Sequence, residues 1–549
     1  MNERTIDRAL AEAFVAEGVD THFMLMGHGQ MYWAIALAQM PGVKTVSVRH
    51  EHCSVAMATG YHFATGKVGV ASTTCGPGFT QIMTALTSAV QARVPLVIFA
   101  ADTPLGMRWY NQQVDQATLT LGTGAHFIAA HSPNLMLDYV QEAFYVARFE
   151  RRPVVLSVPY DLLKRPEPAK DYVRSETLIP KPGRMPPNPD DAERLAERLA
   201  AAKAPIILAG RGVLRSGAEA AVEALAEKSG ALLATTLPAR GMFDHNPYSI
   251  GVAGGFSSET AADMLSNADL VVAIGASLTY YTVDSGKLFP QAFVVQMDEN
   301  PVGLRHGLRA ADAYVRADAL EGAKAVLERL EGKHVSARVR TPELARRIAE
   351  APADSTTFDV EPGTLDPREV VLALDDIIPK DWDIVSGTGH SSYFYTHLKN
   401  RDPRRLHILR EFGAIGSSLS LAIGVAVAKG NGKVVLLDGD GGIMMHIQEL
   451  ESIKRQGIRL LVCAFNDGGF GAEIHKLRKI GKDESLAVFG RPDFGSIAKG
   501  FGLHGETVTE IGQFRHLFER YDPANGPATI WDMHISDKVT SPRGRKPPL

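Results

Sequence analysis

The stretch 434–470 constrains this chain more than any other. It reads VVLLDGDGGIMMHIQELESIKRQGIRLLVCAFNDGGF. The apolar run 434–437 has the composition of a buried parallel strand. Residues 438–442, Asp-Gly-Asp-Gly-Gly, end it with turn residues. Ile443, Ile447, Leu450 and Ile453 then recur at helical spacing, and Gly457 marks the stop. Residues 459–465 read as a second buried strand, closed by Asn466-Asp467-Gly468-Gly469. A strand–helix–strand crossover of this kind is right-handed in nearly every fold. It sets the C-terminal ends of two parallel strands side by side, where ligands bind in open α/β sheets.

Asp440 leaves the first strand and Asp467 the second. Two carboxylates and a loop carbonyl such as that of Gly469 suit a hard divalent cation such as magnesium. The glycines let backbone amides approach closely at a helix start, which is an anion site. A cation beside such a site suggests a metal-bridged diphosphate. A lone Gly-Asp-Gly is more often a plain turn; the crossover and the second acidic loop favour a site here.

At 549 residues the chain exceeds one core, and three domains of about 150–200 residues are expected. Hydrophobic residues make up 45% and charged ones 22%, ordinary for a globular protein. A net charge of -4 argues against a nucleic-acid partner. No apolar run approaches about 18 residues and no signal-type start is present, so the expectation is a cytoplasmic protein without a membrane partner. Cys53, Cys75 and Cys463 fall in no metal-type spacing, in line with a reducing compartment.

The rest of the chain repeats the α/β pattern. Strands are expected at 21–26, 45–48, 68–74, 95–101 and 153–158, with a helix over 51–65, giving a doubly wound parallel sheet in 1–165. A proline-marked linker covers 165–189. A Rossmann-like unit spans 190–332, with strands at 205–209, 270–274 and 293–297 and a helix over 218–228. A second linker covers 333–364. The third unit, 365–535, opens with a helix over 367–378 and a strand over 383–385. The fold class is α/β, three doubly wound parallel-sheet domains, of which the first and third look alike.

Gly439-Asp440-Gly441 followed by Asn466-Asp467 resembles the cofactor motif of thiamine diphosphate enzymes. The family usually has Asn-Asn at the second loop; Asp467 here keeps an oxygen ligand and adds a charge. The resemblance implies thiamine diphosphate and Mg²⁺, with Asp440, Asp467 and Gly469 as metal ligands. Gly439, Gly441, Gly442 and Phe470 would lie beside the cofactor. Arg49-His50-Glu51, then Gly60-Tyr61, Gly66-Lys67 and Gly76-Pro77-Gly78-Phe79, resembles the family's pyrimidine-binding domain. Taken alone, Glu51 is an acid at a helix N-terminus. By resemblance it is the carboxylate that bonds the aminopyrimidine ring, where a carboxyl group in an apolar pocket can share a proton with a ring nitrogen.

Gly387-Thr388-Gly389-His390-Ser391 resembles the loop that meets the diphosphate, giving Gly389, His390 and Ser391. Gly413-Ala414-Ile415-Gly416 resembles the segment whose bulky residue, Ile415, wedges the cofactor into a V. The layout resembles pyruvate decarboxylase, acetolactate synthase and benzaldehyde lyase. In that family the first domain of one subunit meets the third domain of another. A homodimer is then the minimum unit and a homotetramer is expected.

Two residues bear on the reaction. His28 falls where family members differ, and Glu473 falls at the glutamate of pyruvate decarboxylase-type enzymes. Each also has a plain reading, as a surface or capping His and a solvated helix Glu. Asn111-Gln112-Gln113 offers amides where pyruvate decarboxylases carry adjacent histidines, and Gln113 joins the catalytic candidates. The expectation is a 2-oxo acid decarboxylase with carboligase activity, acting on a small 2-oxo acid or aldehyde. The alternatives are an acetolactate synthase-like ligase and a benzaldehyde lyase- or 2-hydroxyacyl-CoA lyase-type enzyme. Gly275-Ala276-Ser277-Leu278 lacks the charged run of flavin-bound synthases, so FAD is not expected. From other classes, Gly210-Arg211-Gly212 with Gly275 raises a nucleotide-binding oxidoreductase, and a binding-only paralogue is the third rival.

Overall fold

The computed structural model describes residues 4–167, 170–180, 183–301, 304–305 and 308–542. Three six-stranded sheets, each wholly parallel, follow one another along the chain. The first holds β1 (Thr21–Met24), β2 (Lys44–Ser47), β3 (Gly69–Thr73), β4 (Leu96–Asp102), β5 (His126–Ala129) and β6 (Val154–Pro159), ordered β2-β1-β3-β4-β6-β5. The central sheet holds β7 (Pro205–Ala209), β8 (Leu232–Thr235), β9 (Ser249–Val252), β10 (Leu270–Ile274) and β11 (Phe293–Asp298). A two-residue antiparallel pair, β12 (Leu304–Arg305) and β13 (Leu308–Arg309), stands outside it. With β14 (Ala313–Arg316) the central order is β14-β11-β10-β7-β8-β9, the nucleotide-fold order. The third sheet holds β15 (Asp383–Ser386), β16 (Leu406–Ile408), β17 (Val434–Gly439), β18 (Leu461–Asn466), β19 (His504–Val508) and β20 (Thr529–His534). Its order, β16-β15-β17-β18-β20-β19, is that of the first sheet.

Strands β3, β4, β17 and β18 are buried along almost their whole length and read as continuous apolar runs, as strands covered on both faces do. Helix Glu51–Thr65 follows β2, and helix Ser418–Lys429 holds the equivalent place after β16. These two helices pack on each other. Gly60 lies against the Leu421 carbonyl and Gly424 against the Met57 carbonyl, so close that a Cβ at either glycine would collide with backbone. The crossing therefore depends on both glycines. One apolar cluster runs through the contact, joining Val46, Met57 and Phe79 to Leu421, Ile423 and Leu436. Fully burying each such side chain contributes roughly 1.5–3 kcal/mol, so the first and third domains of one chain share a core.

Three expectations change. The single helix expected after Asp440 is two, Asp440–Met444 and Glu449–Arg455, because the chain breaks at His446, whose Nδ1 lies 3.0 Å from the Gly416 carbonyl. Helical spacing alone cannot see that long-range bond. The linker at 333–364 carries a helix, Pro342–Glu350, capped by Thr341. The glycines at 210 and 212 are packing residues. The Gly210 and Gly212 amides already donate to Ile274 and Gly275 carbonyls, at 2.9 and 3.0 Å, which leaves them no amide to offer a phosphate. No helix among the described residues is long and apolar enough to cross a membrane.

Candidate active site

The C-terminal ends of β15, β17 and β18 open into one cavity, lined by Gly389, His390, Ser391, Ile415, Gly439, Asp440, Gly441, Gly442, Asp467, Gly469, Phe470 and Glu473 among others. The sequence reading named each of these twelve. Gly413 is the exception: it sits in the Ile415 loop at φ +80 and does not line the cavity. It shapes the loop that presents Ile415.

Asp440 opens helix Asp440–Met444 and is 1% exposed. Its Oδ1 accepts from the Gly441 amide at 2.7 Å and its Oδ2 from the Gly468 amide at 2.8 Å. Asp467 lines the same cavity, and the two carboxyl groups act on each other electrostatically. Burial pushes Asp440 up to about 6, and burial with the Asp440 charge pushes Asp467 well above the usual carboxylate range. Two such carboxyl groups cannot both stay ionised unless a proton or a cation sits between them. The structure also settles which loop residue faces the cavity. Asn466 turns away, its amide donating to Asp532 at 2.7 Å and to the Pro492 carbonyl at 2.8 Å, whereas Asp467 lines the cavity. Asp440 and Asp467 make a pair; among the described residues no group of three or more His, Cys, Asp or Glu converges on a common point.

The lining also asks for a polar ligand. Both ring nitrogens of His390 are buried without a hydrogen-bond partner, as is Asp438 Oδ2. Each such orphan costs roughly 1–3 kcal/mol unless something polar fills the space. Burial holds His390 neutral, down at about 3, with His475 edge-on at 4.6 Å. Asp438 lies beneath the loops, accepting from the Gly439 amide at 2.8 Å, and burial raises it to about 7. No lysine or arginine is among the residues lining the cavity. These features fit a cation-bridged diphosphate: carboxylates for the cation, a helix start and an orphaned imidazole for the anion. His475 and Asp438 were missed by the sequence reading, since neither falls at a motif spacing.

Glu51, His28 and Gln113 do not line this cavity. They stand at the C-terminal ends of the first sheet's strands. Glu51 begins its helix, with His50 capping through a bond from the His52 amide at 3.2 Å. A Cβ on Gly78 would come 3.0 Å from Glu51 Oε1, so the glycine turn after β3 is what lets the carboxylate lie flat against it. His28 is exposed and meets Tyr160 edge-on at 5.1 Å. Gln113 is exposed, and its amide donates to the Tyr110 carbonyl at 3.0 Å. Tyr160 was not expected here; it follows β6, a strand end that carries no motif. Glu473 departs from expectation in its environment. It is not a buried group: its side chain is 55% exposed and pairs with Lys476 at 2.9 Å.

A doubly wound sheet built twice in one chain, once with a carboxylate pair and a helix start at its switch point, and with a nucleotide-type domain between the two copies, is the architecture of an α/β cofactor-dependent enzyme. The chain belongs to the thiamine pyrophosphate enzyme family. Residues 4–119 match its N-terminal TPP binding domain, 192–330 its central domain and 387–531 its C-terminal TPP binding domain. It is similar to an acetolactate synthase large subunit from Parasynechococcus marenigrum, 30% identical over 96% of this chain and 87% of that protein. It is 27% identical to the acetolactate synthase isozyme 2 large subunit of Escherichia coli, over 96% of this chain and 94% of that one. It is 29% identical to a probable 2-ketoarginine decarboxylase of Pseudomonas aeruginosa, over 91% and 88%.

Proposed function

We propose that the chain is a thiamine diphosphate- and magnesium-dependent enzyme that removes carbon dioxide from a 2-oxo acid and joins the remaining fragment to a second carbonyl compound, in the manner of an acetolactate synthase. The observation that carries this reading is the buried Asp440 and Asp467 carboxyls sharing with orphaned His390 a cavity whose lining contains no lysine or arginine. Asp440, Asp467 and the Gly469 carbonyl would hold Mg²⁺; the Gly442 amide, with His390 and Ser391, would hold the diphosphate. When bound, thiamine diphosphate supplies a nucleophilic ring carbon and a sink for the electrons the departing carboxylate leaves behind. Ile415 would pack against the cofactor, and Glu51 would hold a proton at its aminopyrimidine ring.

Glu51 lies outside the cavity of its own chain, so this reading needs a second chain to bring Glu51, His28 and Gln113 over it. Exposed apolar side chains flank both halves and support a homodimer: Leu105, Met107 and Trp109 beside the first, Leu486, Val488 and Phe489 beside the second. Ligation is favoured over simple protonation because Glu473, the expected proton donor, is solvated and ion-paired. A carboxylate paired with Lys476 and open to water is not held in place to deliver a proton to a reacting carbon. The similarity to acetolactate synthases points the same way.

Decarboxylation with aldehyde release is the second reading. His28 favours it, as an imidazole able to move a proton near neutral pH, and so does the similarity to the Pseudomonas decarboxylase. The test is a panel of 2-oxo acids, with and without a second carbonyl compound, with carbon dioxide and product mass recorded together. A hydroxyketone or 2-hydroxy-3-oxo acid product that requires added thiamine diphosphate and Mg²⁺ is expected. Aldehyde as the sole product with every acceptor moves the enzyme to the second reading. Turnover undiminished after chelation and cofactor removal overturns both.

A further inference from the structure

Glu51 and Ile415 are held by one small device that neither the fold nor the proposed chemistry accounts for. His52, the residue after Glu51, stacks its ring on that of His446, with centroids 4.5 Å apart and planes 16° apart. His52 Nε2 lies 2.9 Å from the Ser417 hydroxyl, and His446 Nδ1 lies 3.0 Å from the Gly416 carbonyl. Gly416 and Ser417 immediately follow Ile415. The stack therefore joins the helix start that carries Glu51, in the first domain, to the loop that carries Ile415, in the third. His52 is 5% exposed and His446 8%.

The hydrogen bonds fix the proton positions. The Gly416 carbonyl can only accept, so His446 carries a proton on Nδ1. His50 Nδ1 accepts from the His52 amide. Burial drives His52 down to about 3 and lowers His446. A proton on either stacked ring would place a buried charge against its neighbour. The charged and titratable groups around the pair are His50, Glu51 and Cys53 on the Glu51 helix and its approach, Arg49 beside them, and Glu449 and Glu451 on helix Glu449–Arg455. Glu449 is buried and already engaged: it accepts from the Arg49 amide at 2.8 Å and from the Ser452 hydroxyl at 2.7 Å. Arg49 pairs with Glu451 at 2.5 Å. The loop 413–417 brings no titratable side chain. A metal site is excluded by geometry, since near-parallel rings do not converge their lone pairs and His446 Nδ1 is already donating.

We propose that His52 and His446 are positioning residues: as a neutral stacked pair they fix Glu51 and Ile415 in the orientations that cofactor binding and activation need. This rests on the thiamine diphosphate reading above. Because Glu51 would serve a cofactor held by another chain while Ile415 serves its own, the pair also ties together elements of two different sites.

The experiment compares the full-length wild type with His446→Ala, His446→Asn and His446→Phe. Asn keeps a donor for the Gly416 carbonyl; Phe keeps the stack. The readouts are calorimetric affinity for thiamine diphosphate with Mg²⁺, the pH midpoint of the near-ultraviolet circular dichroism bands of the bound aminopyrimidine, and the melting temperature of the cofactor-free protein. His446→Ala should lose affinity about tenfold and shift that midpoint, with His446→Asn and His446→Phe each recovering part. If His446→Ala does not fold, a midpoint displaced in Asn or Phe still supports the pair. Midpoints and affinities equal to wild type in the variants that fold overturn it, and so does an affinity loss that merely tracks melting temperature. A wild type that binds no thiamine diphosphate overturns the cofactor reading itself, and the pair's role with it.

Discussion

The first and third domains share a strand order, an equivalent helix and a reciprocal glycine contact, yet their ligand-binding edges have little in common. After its third strand in chain order the first domain turns through Cys75-Gly76-Pro77-Gly78, a neutral segment folded against Glu51. At the same topological point the third domain turns through Asp440-Gly441-Gly442 and buries a carboxylate at a helix start. The shared fold determines where a ligand can lie, at the C-terminal ends of parallel strands. The side chains placed there decide which half of a ligand each edge takes. The third domain has a buried carboxylate pair beside a helix start; the first has Glu51, amides and aromatic rings. On the proposed function the two edges are complementary, and one of each would make a complete site.

The largest expected effect breaks that division on the third-domain side. Asp440→Ala should abolish binding of thiamine diphosphate with Mg²⁺, because Asp467 alone cannot bridge a cation to the anion in a cavity lined by no lysine or arginine. Calorimetry on chelator-stripped protein checks this, and full affinity in the variant would remove the site from β17. The cofactor-free variant should melt no lower than wild type, since the substitution relieves carboxyl–carboxyl repulsion.

Next is the first-domain side. Glu51→Gln should keep most of the cofactor affinity, which the third domain provides, while turnover falls by at least on the order of a hundredfold, the usual scale of positioned acid–base assistance. A loss of affinity as large as that of Asp440→Ala would show that the edges do not divide the work as described.

Much of this contrast could be read in the sequence, for physical reasons. Strands covered on both faces need unbroken apolar runs, so β3, β4, β17 and β18 stood out, and Asp-Gly turns at their ends marked the cavity. Strands β9, β14 and β19 lie at sheet edges, carry mixed patterns, and did not. Asp440, Asp467 and His390 were legible because each sits in a short local motif. His446, His475 and Asp438 were not, because their roles come from contacts across 30, 85 and 47 residues of chain with Gly416, His390 and Ser391. The burial of Glu473 was misjudged for a related reason: helix position places a residue at a cavity mouth without saying how wet that mouth is.

A smaller effect separates the two domains by pH. Burial holds His22 and His52 at about 3 and His62 at about 4 in the first domain, and His390 at about 3 with His397 and His475 at about 4 in the third. Below the ordinary histidine value of about 6.5 the unfolded chain takes up protons that these buried rings refuse, so stability falls as pH drops toward about 4. In the cofactor-free protein the third domain carries an opposing contribution. Asp440, raised to about 6, and Asp467 are protonated more readily folded than unfolded, so they add stability as pH falls through the same window. Amide exchange should therefore speed up first in peptides from Glu51–Thr65 and later in those from Val434–Gly439. Simultaneous loosening would mean that the shared core makes the two domains one cooperative unit.

The smallest effect concerns Glu473, and its smallness is the informative part. A carboxylate that is half open to water and paired with Lys476 by an i,i+3 contact gains at most a few tenths of a kcal/mol from that pair. It has no tuned environment from which to deliver a proton, so Glu473→Ala should change turnover by less than about threefold, far below the hundredfold range of a true acid–base group. The ratio of ligated product to aldehyde should stay where it was. Covering by a second chain, which the proposed function requires, is the one event that would alter this. A drop of a hundredfold or a swing toward ligation would therefore say that docking dries the mouth of the cavity. Glu473 would then join the first-domain residues as part of the composite site, and decarboxylation with aldehyde release would become the better reading.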